Sequence, residues 1–285
     1  MDLLLIGGTR FIGAHVVLQL ITAGHSVTVY HRGEHKAELP AAVRHVHRPE
    51  ASMPVLHFPA ELLTPRPDAV IHMMAMGEAD ARAAAEFFRG NTGRMIWISS
   101  GDVYRAYGRF TGIEPGPIEP GLLCEGSPLR SVLYPYRDPA KPPDDLANIY
   151  EKILVERIAM NSPGLPGTTL RLPKVYGPGD NADLATVYGF RNHPEWRWTH
   201  GHVENVAAAI VLATVHPAAA HRIYNIGEAY TPTMGERLAK LPPSSVPVND
   251  DPKFNFHQNI AYDTSRIRQE LGYRELISET AILPR

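Results

Sequence analysis

The residues with the clearest chemical potential stand near the start of the chain. Gly7-Gly8-Thr9-Arg10-Phe11-Ile12-Gly13 follows the apolar run Leu3 to Ile6 and leads into Phe11, Ile12, Val16, Val17 and Leu20 at helical spacing. Glycine gives a strand-to-helix turn its backbone freedom, the opening turn of the helix offers unpaired N–H groups, and a closing glycine lets helix and strand approach. That chemistry suits the paired phosphates of a dinucleotide, with Gly7, Thr9, Arg10, Phe11, Ile12 and Gly13 as the expected contacts. The Arg10 guanidinium either pairs with a phosphate or obstructs the turn; the first reading is favoured because an arginine leaning outward leaves the amides open. About 20 residues further on, an acid would accept ribose hydroxyls. This chain has His31 and Arg32 there, cationic groups that suit a 2′-phosphate, so NADP is the expected cofactor and NAD the alternative. Arg44, His45, His47 and Arg48 either add to that field or form a solvated basic edge.

The elements that must position these groups alternate. Strands are expected at Leu3 to Ile6, Val27 to Tyr30, Val43 to Val46, Ala69 to Met74 and Met95 to Ser99, with helices opening at Phe11 and spanning Glu78 to Arg89. Strand, helix and strand within about 30 residues form a right-handed βαβ unit. Residues 101–144 are rich in proline and glycine, a long irregular segment of the kind that forms a lid or substrate loop. A continuous helix from Asp144-Asp145 to Met160, a strand at Thr168 to Leu172, a helix over Val203 to Val215, a strand at Ile223 to Ile226 and a helix from Ser265 to Leu271 complete the pattern. The expectation is an α/β fold: a doubly wound parallel Rossmann sheet over 1–172, with 201–226 returning to it, and a small C-terminal substrate lobe from 173–200 and 227–285.

Composition narrows the function classes. With 28 basic and 30 acidic residues, nothing drives the chain toward nucleic acid or an anionic membrane surface. A single cysteine, Cys124, rules out an internal disulfide framework, and the first residues lack a signal peptide's basic region and long apolar stretch, so a soluble cytoplasmic protein is expected. Ile282 to Arg285 close the chain without a stop signal, which reads as a short C-terminus. The pairs His45-x-His47 and His200-x-His202 lack a third ligand at a known spacing, so no metal is expected. Trp196 and Trp198 line a pocket or cover the core, with nothing to decide between them.

The run Ile6 to Gly13 resembles the glycine turn of the extended short-chain dehydrogenases, the NAD-dependent epimerase/dehydratase family, with Arg10 where the middle glycine usually stands. An atypical branch that includes the chloroplast stem-loop-binding proteins shares this arginine. Asp68 to His72, Ile98 to Tyr104, Leu170 to Gly179 and Tyr262 to Ile267 match further segments in the family's order. The resemblance implies a Tyr-x-x-x-Lys pair on one helix, in which lysine holds the nicotinamide ribose and tyrosine moves the proton, and a Ser or Thr that orients the substrate. Ser100 and Lys152 match two of these, and Met74 and Ser99 join Lys152 among the implied cofactor contacts. Four residues before Lys152, however, stands Asn148, which cannot act as a base. Tyr150 lies about 200° around a regular helix from Lys152 and is expected to point elsewhere unless the helix is distorted. Asp102, two residues after Ser100, matches the acid of the family's dehydratases or simply caps the loop, and Tyr104 is expected to line the pocket.

The resemblance thus implies an NAD(P)-binding oxidoreductase or epimerase-like enzyme acting on a small hydroxylated substrate such as a sugar or nucleotide sugar, with a degenerate Tyr-x-x-x-Lys site. The other reading is a non-catalytic NADP-binding sensor or interaction protein, for RNA as in the chloroplast relatives. A homodimer through the helices at Glu78 to Arg89 and Asp145 to Met160 follows from the same resemblance.

Overall fold

The computed structural model describes residues 1–33, 39–48, 53–181 and 184–278; Ile282 to Arg285, expected to form a short end, lie outside them. Five strands open the chain, β1 (Asp2–Ile6), β2 (Ser26–His31), β3 (Arg44–His47), β4 (Ala69–His72) and β5 (Arg94–Ser100), interleaved with helices α1 (Phe11–Thr22) and α2 (Glu78–Phe88). Helix α3 (Arg105–Thr111), helices α4 (Leu146–Ile149) and α5 (Lys152–Asn161), and strand β6 (Gly167–Leu172) follow. The chain ends with β7 (Lys174–Tyr176), α6 (Ala185–Gly189), β8 (His200–His202), α7 (Val203–Val215), β9 (Arg222–Asn225), α8 (Met234–Leu238) and α9 (Ser265–Glu270).

Seven strands form one parallel sheet in the order β3-β2-β1-β4-β5-β6-β9. Leu3 to Ile6 are all buried because both faces of β1 are covered, which is why a continuous apolar run, not an alternating one, encodes this strand. Leu3 and Leu5 face one layer with Val16, Val17 and Leu20 of α1 and Ile210 of α7. Leu4 and Ile6 face the other, with Ala81, Ala84 and Phe88 of α2 and Val155 of α5. This is the expected doubly wound sheet, and its order reverses between β1 and β4, the place where such sheets bind ligands. A third apolar cluster joins Phe110 of α3, Val187, Trp196, Met234, Ile260 and Tyr262, and the parallel pair β7 and β8 lies beside it. Among the described residues, no helix is long and apolar enough to cross a membrane.

Two expectations change. The helix expected to run unbroken to Met160 is interrupted at Tyr150 and Glu151, both with extended backbone. Tyr104, expected in the pocket, is fully buried; its hydroxyl donates to Asn225 Oδ1 at 2.6 Å, and the Arg171 guanidinium lies 4.7 Å over its ring.

Arg171 also anchors the middle of the fold. It meets Glu156 through Nε at 2.9 Å and Nη2 at 2.7 Å, Ser99 Oγ donates to Glu156 Oε1 at 2.6 Å, and all three residues are buried. Burial works against the Arg171 charge, but the hydrogen bonds and charge of Glu156 outweigh it and hold the guanidinium above its ordinary range. Removing one partner of such a pair strands a charge in the core. Glu156→Gln should therefore lower unfolding stability by about 3–5 kcal/mol in urea titration, and the double change Glu156→Leu with Arg171→Met should recover a large part of it.

Candidate active site

At the end of β1 the chain must turn sharply into α1. Gly7 and Gly8 do so at φ +88° and +97°, in the left-handed region, and a Cβ added to Gly13 would lie 2.2 Å from Gly8 Cα, so helix and turn meet only through glycine. Arg10 is extended, at φ −138° and ψ 153°, a conformation any residue adopts, so its place in the turn costs no backbone strain. No side chain caps α1 and no acid stands in its first turn, which leaves this helix end open to an anion. Gly7, Thr9, Arg10, Phe11, Ile12 and Gly13 line a cavity of about 300 Å³ that is closed on its other side by Arg32, Arg48 and Met74. His31 also reaches it, but burial, with His45 and His47 beside it, pushes its pKa down to about 4, so it is neutral at pH 7. The positive charge at this rim comes from the arginines, not from His31 as the sequence suggested.

The second group of residues forms where the helix breaks. Glu151 N donates to the Met76 carbonyl at 2.8 Å, and an added Cβ at Gly77 would lie 2.1 Å from Ile149 O, so the break sits directly on the loop after β4. The Glu151 carboxylate accepts from Ile153 N at 2.9 Å, capping α5, and pairs at 3.2 Å with Arg130, both side chains being fully buried. Because the backbone is extended here, the angle expected of a regular helix does not apply. Tyr150 turns inward, and its hydroxyl donates to Asp102 Oδ2 at 2.9 Å. Its ring centroid lies 5.6 Å from Lys152 Nζ, and Ser100 is close enough to counter part of the rise in its pKa. Asn148 is directed elsewhere; its amide holds Asp138 N and the Lys141 and Pro142 carbonyls.

The structure thus brings Ser100, Asp102, Tyr150 and Lys152 together, but not Ser99, whose hydroxyl is taken by Glu156, away from the glycine turn. It adds two residues the sequence gave no periodic signal for, Tyr136 and Tyr107. Tyr136 OH donates to the same Asp102 Oδ2 at 2.9 Å and lies 3.3 Å from Tyr107 OH. Burial raises the Asp102 pKa against the pull of Tyr150, Tyr136, Arg130 and Lys152, and Asp102 Oδ1 has no partner among the described residues. Burial and then the Asp102 charge push Tyr150 well above the ordinary phenol range. Lys152 is buried and pushed down to about 8, with Asp80 the largest opposing influence; its ammonium donates to Ala75 O at 2.5 Å and Ile98 O at 2.9 Å. Ser100, Asp102, Tyr107, Tyr136, Lys174 and Trp198 line a cavity of about 250 Å³ whose far wall includes Ile260 and Tyr262. Trp196, by contrast, is core. His200 is held neutral by burial and by Arg237, and His202 caps α7. Among the described residues, no group of three His, Cys, Asp or Glu gathers as a metal site.

If Asp102 and Tyr150 are coupled as this geometry requires, Asp102→Asn removes a negative charge from beside the phenol. Spectrophotometric titration of tyrosinate should then show the most resistant ionisation step moving to lower pH, while an unchanged step would mean that the two groups are apart in solution.

Residues 3–105 match the family model described as the NAD dependent epimerase/dehydratase family. No curated protein matches the sequence. Among solved structures, the chain is similar to UDP-glucose 4-epimerase with UDP-glucose from Thermotoga maritima, at 19% identity and TM-score 0.68 over 99% of this chain and 96% of that one. It is similar to Pal from Bacillus thuringiensis, at 16% identity and TM-score 0.70 over 98% and 95% of the two chains. An Agrobacterium tumefaciens short-chain dehydrogenase/reductase superfamily protein with bound NAD superposes at TM-score 0.65, with 18% identity over 99% and 95%. The family match covers the N-terminal segment, and the seven-stranded parallel sheet built on that segment has the Rossmann-type α/β fold of these solved structures.

Proposed function

We propose that the protein is an NAD(P)-dependent enzyme of the epimerase/dehydratase or reductase type that oxidises and reduces a carbinol carbon of a small hydroxylated substrate, a sugar or nucleotide sugar. The observation that carries this reading is the broken helix, which sets Tyr150 against Ser100 and Asp102 in a chain whose Asn148 occupies the usual tyrosine position. The nucleotide-sugar enzyme and the NAD-bound protein that share its fold support the reading.

The free amides of the turn and of the α1 N-terminus would hold the pyrophosphate. Arg32 and Arg48, at the rim where an acid would accept the adenosine ribose, favour a 2′-phosphate, hence NADP with NAD as the weaker ligand. When bound, the nicotinamide supplies the hydride acceptor or donor. Lys152 has three donors, two of them spent on Ala75 and Ile98, and the third would go to a ribose hydroxyl. Tyr150 takes the proton of the substrate hydroxyl as its own phenolic proton passes to Asp102, whose affinity for a proton burial has raised. The substrate O–H bond breaks, a phenol O–H re-forms, and the carboxylate ends protonated. Ser100 orients the substrate oxygen, and the irregular segment carrying Tyr136 covers the pair.

Hydride exchange between labelled NADPH and a sugar panel, beside fluorescence quenching by NADPH and NADH, tests this directly. Tyr150→Phe should lower exchange by about 10²–10⁴-fold with cofactor affinity unchanged, and binding without any exchange would leave a dinucleotide-binding protein that does no chemistry. Arg32→Asp should weaken NADPH by about 10–100-fold while sparing NADH; equal losses would remove the 2′-phosphate contact. Since Lys152 is charged below about pH 8 and neutral above it, cofactor affinity should fall as pH rises through about 8, a step absent in Lys152→Met.

A further inference from the structure

The cavity beside Tyr150 has a chemical character of its own. Its lining includes Asp102, a residue only 4% exposed whose Oδ1 is buried and has no partner among the described residues. A buried acceptor left unmade is costly, and a site built around one rejects ligands that lack the matching donor. Around it stand the hydroxyls of Ser100, Tyr107 and Tyr136 and the aromatic faces of Trp198 and Tyr262. Among the described residues lining the cavity, Lys174 is the one cation. The guanidiniums nearby are committed: Arg130 to Glu151, and Arg197 to the Thr231 carbonyl and to Glu236.

A diphosphate needs several cationic or amide donors and is repelled by an ionised carboxylate. At about 250 Å³ the cavity is below the ~300–1,000 Å³ typical of drug-sized ligands. Behind Trp198 stand Phe190 and Trp196, with ring centroids 6.1 and 5.6 Å from it, and the Trp198–Ile260 bridge closes the same side. A ligand extended past Trp198 would meet packed aromatic core.

We propose that this site takes an uncharged polyhydroxylated molecule of single-sugar size with no nucleotide attached, one of whose hydroxyls donates to the free oxygen of Asp102. The proposal rests on the reading of Ser100, Asp102 and Tyr150 as an NAD(P)-dependent site and narrows its substrate class.

Saturation-transfer NMR on the full chain saturated with NADPH, using D-glucose, D-galactose, D-xylose, UDP and UDP-glucose as probes, tests it. At least one free sugar should bind, UDP should give no signal, and Asp102→Asn should weaken the sugar about tenfold or more. UDP binding by itself, or UDP-glucose binding more than about tenfold tighter than the free sugars, overturns the proposal. Silence from every sugar also overturns it, as does undiminished sugar binding in Asp102→Asn. The wild-type comparison stands even if that variant fails to fold. Quenching by NADPH is read separately on the same samples, so failure of the cofactor reading shows as lost quenching and failure of the substrate class as lost sugar signal.

Discussion

The buried contact between Glu151 and Arg130 is the constraint on which the site depends. A helix interrupted at Tyr150 and Glu151 gives up intrahelical hydrogen bonds, and buried backbone groups must find other partners. Glu151 supplies them: its N–H goes to Met76 O, its carboxylate caps Ile153 N, and the same carboxylate accepts from Tyr134 N and meets Arg130. Arg130 in turn donates to the Asp102 carbonyl, which fixes the loop after β5. One ion pair therefore locates Asp102, turns Tyr150 inward and holds the segment that carries Tyr136. Without the interruption, Tyr150 would lie on a different face of the helix from Lys152.

Charge is distributed so that few groups near the site ionise freely. His72 is pushed down to about 3 by burial and by Lys152, and His31 and His200 are likewise neutral. Glu156 is matched by Arg171, and Glu151 by Arg130. Asp102, Tyr150 and Lys152 are each shifted toward the uncharged form chiefly by burial.

The legible parts of the sequence were those where one local rule suffices. Central parallel strands covered on both faces read as apolar runs, so β1, β4 and β5 could be placed from composition, and the glycine turn carries its own spacing. The interruption after α4 was not legible, because Leu146, Ile149, Ile153 and Leu154 keep helical spacing straight through it; tertiary partners at Met76 and Arg130 impose it. Tyr107 and Tyr136 come from short or irregular segments where no period exists, and β7 and β8 are too short for any pattern. Ser99 and Ser100 are adjacent in β5 and so face opposite sides, one toward Glu156 and the other toward Tyr150, a distinction that needs the strand's register.

Phe11 begins α1 at φ +39°, a left-handed conformation that is unfavourable for an aromatic residue, and its ring lies against Gly179, where an added Cβ would come within 3.3 Å of Phe11 Cδ2. The loop after β7 thus packs against the first helical residue after the glycine turn. A side chain added at Gly179 would therefore press on the glycine turn through Phe11.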